Sequence, residues 1–130
     1  FTRVDGPSTF SDVGFALPGS VGSPDLDGGG SPESGQQLIL TLTGALPSAP
    51  TTLAIGLSTV NVPFLGGTFV PSPDVLIHGL FTDTSGQLVL AGSLPPGLPS
   101  GTTLVFQEWI ADAGGPFGYA STQGVCATVP

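Results

Sequence analysis

The run VFQEWIADAGGPFGYAST, residues 105–122, sets two carboxylates, Glu108 and Asp112, around Trp109 and leads into a Gly-rich stretch that holds Tyr119. Paired carboxylates are the machinery of glycoside hydrolysis, which needs them roughly 5–9.5 Å apart across a cleft. Residues four apart on an extended strand are separated by roughly 13 Å, so this spacing does not fit the reaction. The run reads as a strand and its turn. Trp109 and Tyr119 could stack on pyranose rings if both faced outward; packing in a core is the other use of such rings. His78 is the sole imidazole, and one His fixes no nucleophilic triad. Zinc sites require clusters of Cys and His, and this chain has one of each. A phosphate-binding loop needs a Lys, which the sequence lacks.

The one stretch with metal-ligand chemistry is PDLDGGGSPESG, residues 24–35, in which Asp25, Asp27 and Glu33 surround three glycines. Oxygen ligands on a loop suit Ca²⁺. A calcium loop of that spacing wants an oxygen ligand at 29 and Glu at 36, where Gly29 and Gln36 stand. A solvated turn is therefore expected. Cys126, within the alternating run GVCATV, is expected to be a small buried hydrophobe, and a single Cys makes no internal disulfide. No catalytic residue, cofactor or metal is expected from these residues.

The elements that carry them follow from composition. The 130 residues suit one domain with one core. Charged residues make up 8% and hydrophobic residues 39%, with 21 Gly and 14 Pro. Disordered chains have few apolar residues and many charges, the reverse of this balance. The net charge is −8, and Arg3 is the only fixed positive charge. Such a chain cannot displace counterions from nucleic acid or bind an anionic membrane by charge, and no apolar run reaches the ~20 residues of a membrane span. A chain that starts at Phe1 and contains no Met is read as processed or partial. The scarcity of Lys and Arg leaves trypsin-like proteases little to cut, which favours export.

Period-two alternation appears in QLILTLTG, TTLAIGLS, DVLIHGLF, GQLVLAGS, TTLVFQEWIA and TQGVCATV, and no window of 11 or more residues holds a helical stripe free of Gly and Pro. In DVLIHGLF the alternation sets Val75, Ile77, Gly79 and Phe81 against Leu76, His78 and Leu80. In LVFQEWIA it sets Leu104, Phe106, Glu108 and Ile110 against Val105, Gln107, Trp109 and Ala111, apolar on both faces. FTDTSGQL reads as a hairpin turned by Asp83 and Gly86, and GSLPPGLPSG as an extended crossover between sheets. Residues 18–36 read as loop. The expected fold is all-β: a single β-sandwich of about 7–8 short antiparallel strands, Greek-key and Ig-like, with Gly/Pro-rich loops. Residues 1–13 are expected to form an N-terminal arm and residues 14–130 the sandwich.

From about Gly14 to Pro130 the chain resembles a small domain of secreted bacterial proteins of planctomycete and myxobacterial type, often found at the C-terminus of long chains. The resemblance rests on the order and spacing of PGSVGSPDLDGGG, LPPGLPSG, FQEW, AD and GYAS. It implies an extracellular β-sandwich with a structural or surface role and no catalytic residues to carry over. Relatives often carry a Cys where Leu17 stands here.

The function expected is that of a non-enzymatic, acidic, secreted structural protein of the cell surface that self-assembles, as a homo-oligomer or filament. The arm would supply strand addition, with Phe10, Val13, Phe15 and Leu17 as its interface and with no evident place for Phe10 in its own core. The alternative is an adhesive module that binds a cell-surface glycan.

Overall fold

The computed structural model describes residues 10–31, 36–94 and 96–129, and among them all regular structure is β. The larger sheet orders β1 (Phe10–Gly14), β11 (Gly124–Thr128), β9 (Thr103–Ala111), β4 (Pro50–Gly56) and β7 (Val75–Phe81), with the short β10 (Tyr119–Ser121) also on β9. The smaller sheet orders β2 (Asp25–Gly30), β3 (Gln37–Thr43) and β8 (Leu88–Ser93). A separate ribbon pairs β5 (Thr59–Phe64) with β6 (Gly67–Pro71). All pairings are antiparallel. The chain is a β-sandwich, with eleven strands among the described residues rather than seven or eight.

The core lies between the two sheets, where alternate residues of facing strands meet. Leu38, Leu40 and Leu42 of β3 face Leu53 of β4 and Leu104, Phe106 and Ile110 of β9. Each such side chain removed from water contributes roughly 1.5–3 kcal/mol. The other face of β9 is covered as well, because the β5–β6 ribbon packs over it. That explains the apolar residues on both faces of this strand, which is buried over nearly its whole length.

Four expectations are corrected. Residues 25–30 form a strand, not a loop: β2 pairs with β3 from Asp25↔Thr43 to Gly30↔Leu38. Gly28 is needed because the Phe10 ring lies on it, where a Cβ would collide, and Gly30 because a Cβ there would meet the Gln37 carbonyl. Phe10 thus has a place in its own core.

Residues 81–88 do turn, with Asp83 Oδ1 accepting from the N–H groups of Ser85 and Gln87 and Gly86 at φ 75. They form a crossover rather than a hairpin, since β7 and β8 belong to different sheets. The reason is the neighbouring β3–β4 crossover: Ser48 N–H donates to Asp83 O, Ala45 N–H to Gly86 O and Ala49 N–H to Thr82 Oγ1.

In β7 the alternation breaks at Gly79, φ 80, where three steps along β7 oppose two along β4, from Leu53↔Ile77 to Thr51↔Leu80. This bulge exchanges the faces. Leu80 therefore lies between the sheets beside Ile77, and Phe81 is 60% exposed.

Candidate functional site

The chemistry-bearing residues of 105–122 separate into three environments. Gln107 and Trp109 point to the outer face of the larger sheet. Gln107 uses its whole amide: Oε1 accepts from Val70 N–H at 3.0 Å and Trp109 Nε1–H at 3.1 Å, and Nε2 donates to the carbonyls of Thr68 and Thr122, both at 3.0 Å. It therefore ties β6, β9 and the end of β10 together. Trp109 is 5% exposed, with Phe69 stacked at 6.0 Å and Phe64 edge-on at 5.3 Å. The ring is buried, so an exposed Trp109–Tyr119 pair is not formed, although both residues line one cup on the outer face.

Asp112, beyond β9, is buried and acts as a clamp. Its carboxylate accepts from Gly114 N–H, Ser20 N–H and Ser20 Oγ–H at 2.8–2.9 Å. Burial pushes its pKa up, but the hydrogen bonds from Gly114 and Ser20 outweigh that and hold it below the ordinary value. The residue joins PGS, residues 18–20, to the turn after β9, which gives two separated parts of the distinctive sequence pattern one structural purpose.

Glu108 stands in the third environment. It shares the inner face of β9 with Phe106 and Ile110 and is fully buried between the sheets. Neither carboxyl oxygen has a hydrogen bond of ordinary geometry, and the buried Thr51 hydroxyl has none either. Burial pushes Glu108 up to about 7, with the neighbouring Thr51 hydroxyl only partly opposing it. Glu108 and Asp112 thus occupy a sealed core and a turn rather than one cleft.

The remaining candidates lie apart. His78 is exposed on β7, and its Nδ1 meets Thr52 Oγ1 at 3.1 Å. With Tyr119, Phe64 and Leu76 it rims a shallow apolar cup of about 180 Å³ on the outer face. Cys126 is half-buried on β11, and burial pushes its thiol up. Asp25 and Asp27 sit side by side on β2, near Asp12 of β1. Hydrogen-bond sharing with Asp25 is the largest cause that raises Asp27, followed by burial and the charges of Asp25 and Asp12. Glu33 lies outside the described residues. Among those described, no group of three or more His, Cys, Asp or Glu is arranged to hold a metal ion.

The expected interface residues are distributed around the β1 edge. β1 runs across the expected boundary at residue 13 and pairs with β11 of its own chain, Phe10↔Ala127 to Gly14↔Gly124. Val13 packs near Val70 at Gly124, Leu17 is buried against Gly67 and bridges Ser121, and Phe15 is 51% exposed. Residues 1–9 of the arm lie outside the described residues.

Sequence reasoning did not single out two features. Gln123 closes the sandwich on the β1–β2 side: its Oε1 accepts from Leu26 N–H, and its Nε2 donates to Leu26 O and Asp25 Oδ1. On the opposite side the sheets part between β7 and β8, leaving an apolar cleft of about 320 Å³ lined by Leu38, Leu40, Ile77, Leu80, Leu90 and Phe106, among others. Among the described residues, neither β7 nor β8 has a strand on its outer edge. Only the period-two runs of uncharged residues at 75–81 and 88–93 hinted at this second feature.

No family model and no curated relative matches the chain. No helix among the described residues is long and apolar enough to cross a membrane.

Proposed function

We propose that this chain is a non-enzymatic structural module of secreted, surface-associated proteins, and that its copies associate through strand edges. The observation that carries the reading is what the polar residues of the distinctive run do. Gln107, Asp112 and Gln123 use their side chains to hold loops and strands together. A buried donor or acceptor committed in this way is costly to redirect toward a substrate. The shortage of Lys and Arg and the resemblance to a domain of secreted bacterial proteins support the compartment.

Donation of the N-terminal strand takes one form compatible with this fold. β1 of one copy would lie on β11 of the next and seat its Phe10 over that copy's Gly28, repeating contacts the single chain already makes. Light scattering and electron microscopy of the purified chain test the reading. Concentration-dependent oligomers or filaments are expected, and a chain that stays monomeric up to millimolar concentration would overturn it.

The glycan-binding alternative retains one observation in its favour, the cup rimmed by Tyr119, Phe64 and His78. Micromolar binding on a glycan array, abolished by Tyr119→Ala, would place that function first.

A further inference from the structure

Among the described residues the smaller sheet ends in a strand with no neighbour on its outer edge. Natural sheet edges are blocked by charge, by proline or by a bulge, because free N–H and C=O groups otherwise pair with another chain. β7 has the Gly79 bulge. β8, LVLAGS, has none of these devices, and it pairs with β3 without a register shift from Gln37↔Ser93 to Leu42↔Leu88. Its outward Val89 is 62% exposed. Beside it the cleft between β7 and β8 leaves Ile77 40% exposed, and Val75 at the start of β7 is 49% exposed. No carboxylate, Lys or Arg stands on either strand, whereas Asp12, Asp25 and Asp27 lie at the opposite edge of the sandwich. For a chain of net charge −8, these uncharged strands, with Asp74 and Asp83 only in the segments beside them, offer two copies an approach with less repulsion than the edge that holds Asp12, Asp25 and Asp27.

We propose that β8 is the docking site for a second copy of this chain, the two β8 strands pairing antiparallel about Leu90. The proposal rests on the reading of the chain as self-associating and names the surface. The result is one continuous sheet, β2-β3-β8-β8-β3-β2, that covers both clefts.

Side-chain parity selects the register. Residues directly opposite in an antiparallel pair point to the same side, and a two-fold axis normal to the sheet keeps the inner faces together. With Leu90 opposite Leu90, Val89 meets Ala91 on the outer face and Leu88 meets Gly92 on the inner one. Gly92 offers the space for this, since a Cβ there would meet nothing within 4 Å. A slip of one residue sets inward Leu88 against outward Ser93 and breaks the shared core face. The chain's own N-terminal segment fits less well: in FTRVDGPST a strand that points Phe1 into the cleft also points Arg3 and Asp5 there, and the opposite parity offers Val4 as its one large apolar side chain.

The test uses the full chain in sedimentation equilibrium at pH 5 and pH 7.5. The double variant Val89→Glu/Ala91→Glu sets like charges opposite one another at exposed positions. It is expected to keep its circular dichroism and thermal midpoint while dimerising at least tenfold more weakly. Should the substitutions disturb folding, Val89→Cys/Ala91→Cys in a Cys126→Ala background decides: disulfide-linked dimers on mild oxidation are expected, and their absence overturns the assignment. A folded glutamate variant that associates as tightly as the parent overturns the β8 site and leaves self-association standing. Loss of dimer on deletion of residues 1–9 makes the arm the occupant and likewise overturns it. A parent chain monomeric at both pH values removes the self-association reading itself.

Discussion

Glu108→Gln is the substitution whose effect should reverse with pH. The carboxyl lies in the inter-sheet core with no hydrogen bond of ordinary geometry, so its charged form is penalised by lost solvation. Its pKa rises from 4.5 in the open chain to about 7 in the fold. At roughly 1.4 kcal/mol per pH unit this amounts to about 3 kcal/mol. The sign follows from which state holds the proton more tightly. Below pH 4.5 both states are protonated and the contribution is fully present; it declines as pH rises and is lost once pH has passed through about 7. Ordinary carboxylates have finished titrating by about pH 6, so a decline above that pH that the variant lacks belongs to this group. For a domain of this size the loss should appear as roughly 10 °C in the unfolding midpoint between about pH 5 and 8.5. Gln keeps the shape and cannot ionise, but the neighbouring Thr51 hydroxyl can serve at most one of its buried polar groups, and those left unpaired cost about 1–3 kcal/mol. Thermal or urea unfolding of both proteins across this range should therefore give crossing curves, with the parent more stable at pH 5 and the variant more stable at pH 8.5. A constant difference between the two from pH 5 to 8.5 would show that the carboxyl is solvated or paired, and the argument would fail.

Three further outcomes are expected. Trp109→Ala should cost about 3–5 kcal/mol in chemical denaturation, since it empties a buried site between Phe64 and Phe69 and leaves Gln107 Oε1 one donor short; a loss under about 1 kcal/mol would mean that the ring is exposed. Asp112→Ala should cost about 2–3 kcal/mol at neutral pH, because it removes three charge-assisted hydrogen bonds, and should flatten the acid limb of the stability curve; an unchanged limb would disprove the clamp. Self-association measured by light scattering should strengthen as pH falls from 7 towards about 4, where the surface carboxylates begin to lose their mutual repulsion; indifference to pH between about 3.5 and 7 would contradict it.

The strands that turn one face to the space between the sheets were legible because that face enforces alternation: β3, β7, β8, β9 and β11 fall within the runs that show it, and β4 starts one residue before its run. β2 and the β5–β6 ribbon were not. DLDGGG of β2 has weak strand propensity and is held by pairing and by what packs on it, whereas TVNVPF of β5 carries strand-favouring Thr, Val and Phe interrupted by Asn61 and Pro63 and is exposed along its length. The β7 alternation was read correctly up to His78 and then inverted, because a bulge depends on the conformation of Gly79 and leaves no mark on the periodicity. Face assignment did place Glu108 with Leu104, Phe106 and Ile110, so its apolar surroundings were readable. The lack of a hydrogen-bonding partner was not, since that depends on what the other strands bring. The roles of Gln107 and Gln123 stayed hidden for a related reason. An amide that satisfies backbone groups of several strands has no spacing signature, and its value exists only once those strands are assembled.

The two carboxylates that first suggested catalysis bear instead on the pH at which the fold is firmest. Asp112 is held below its ordinary value, so its contribution is present above the open-chain value of 3.8 and is lost as pH falls through the folded one. Glu108 acts in the opposite direction, and its contribution declines from 4.5 upward through about 7. Between these limbs, from about pH 4 to 5, both groups stabilise the fold. The same interval is where the remaining surface acids start to protonate and repulsion between copies falls. Stability and the proposed association should therefore share one mildly acidic window for different physical reasons. Glu108→Gln separates the reasons: it should remove the alkaline decline in stability while leaving the pH dependence of association nearly intact, because a sealed core carboxyl adds little to the field at the β8 edge.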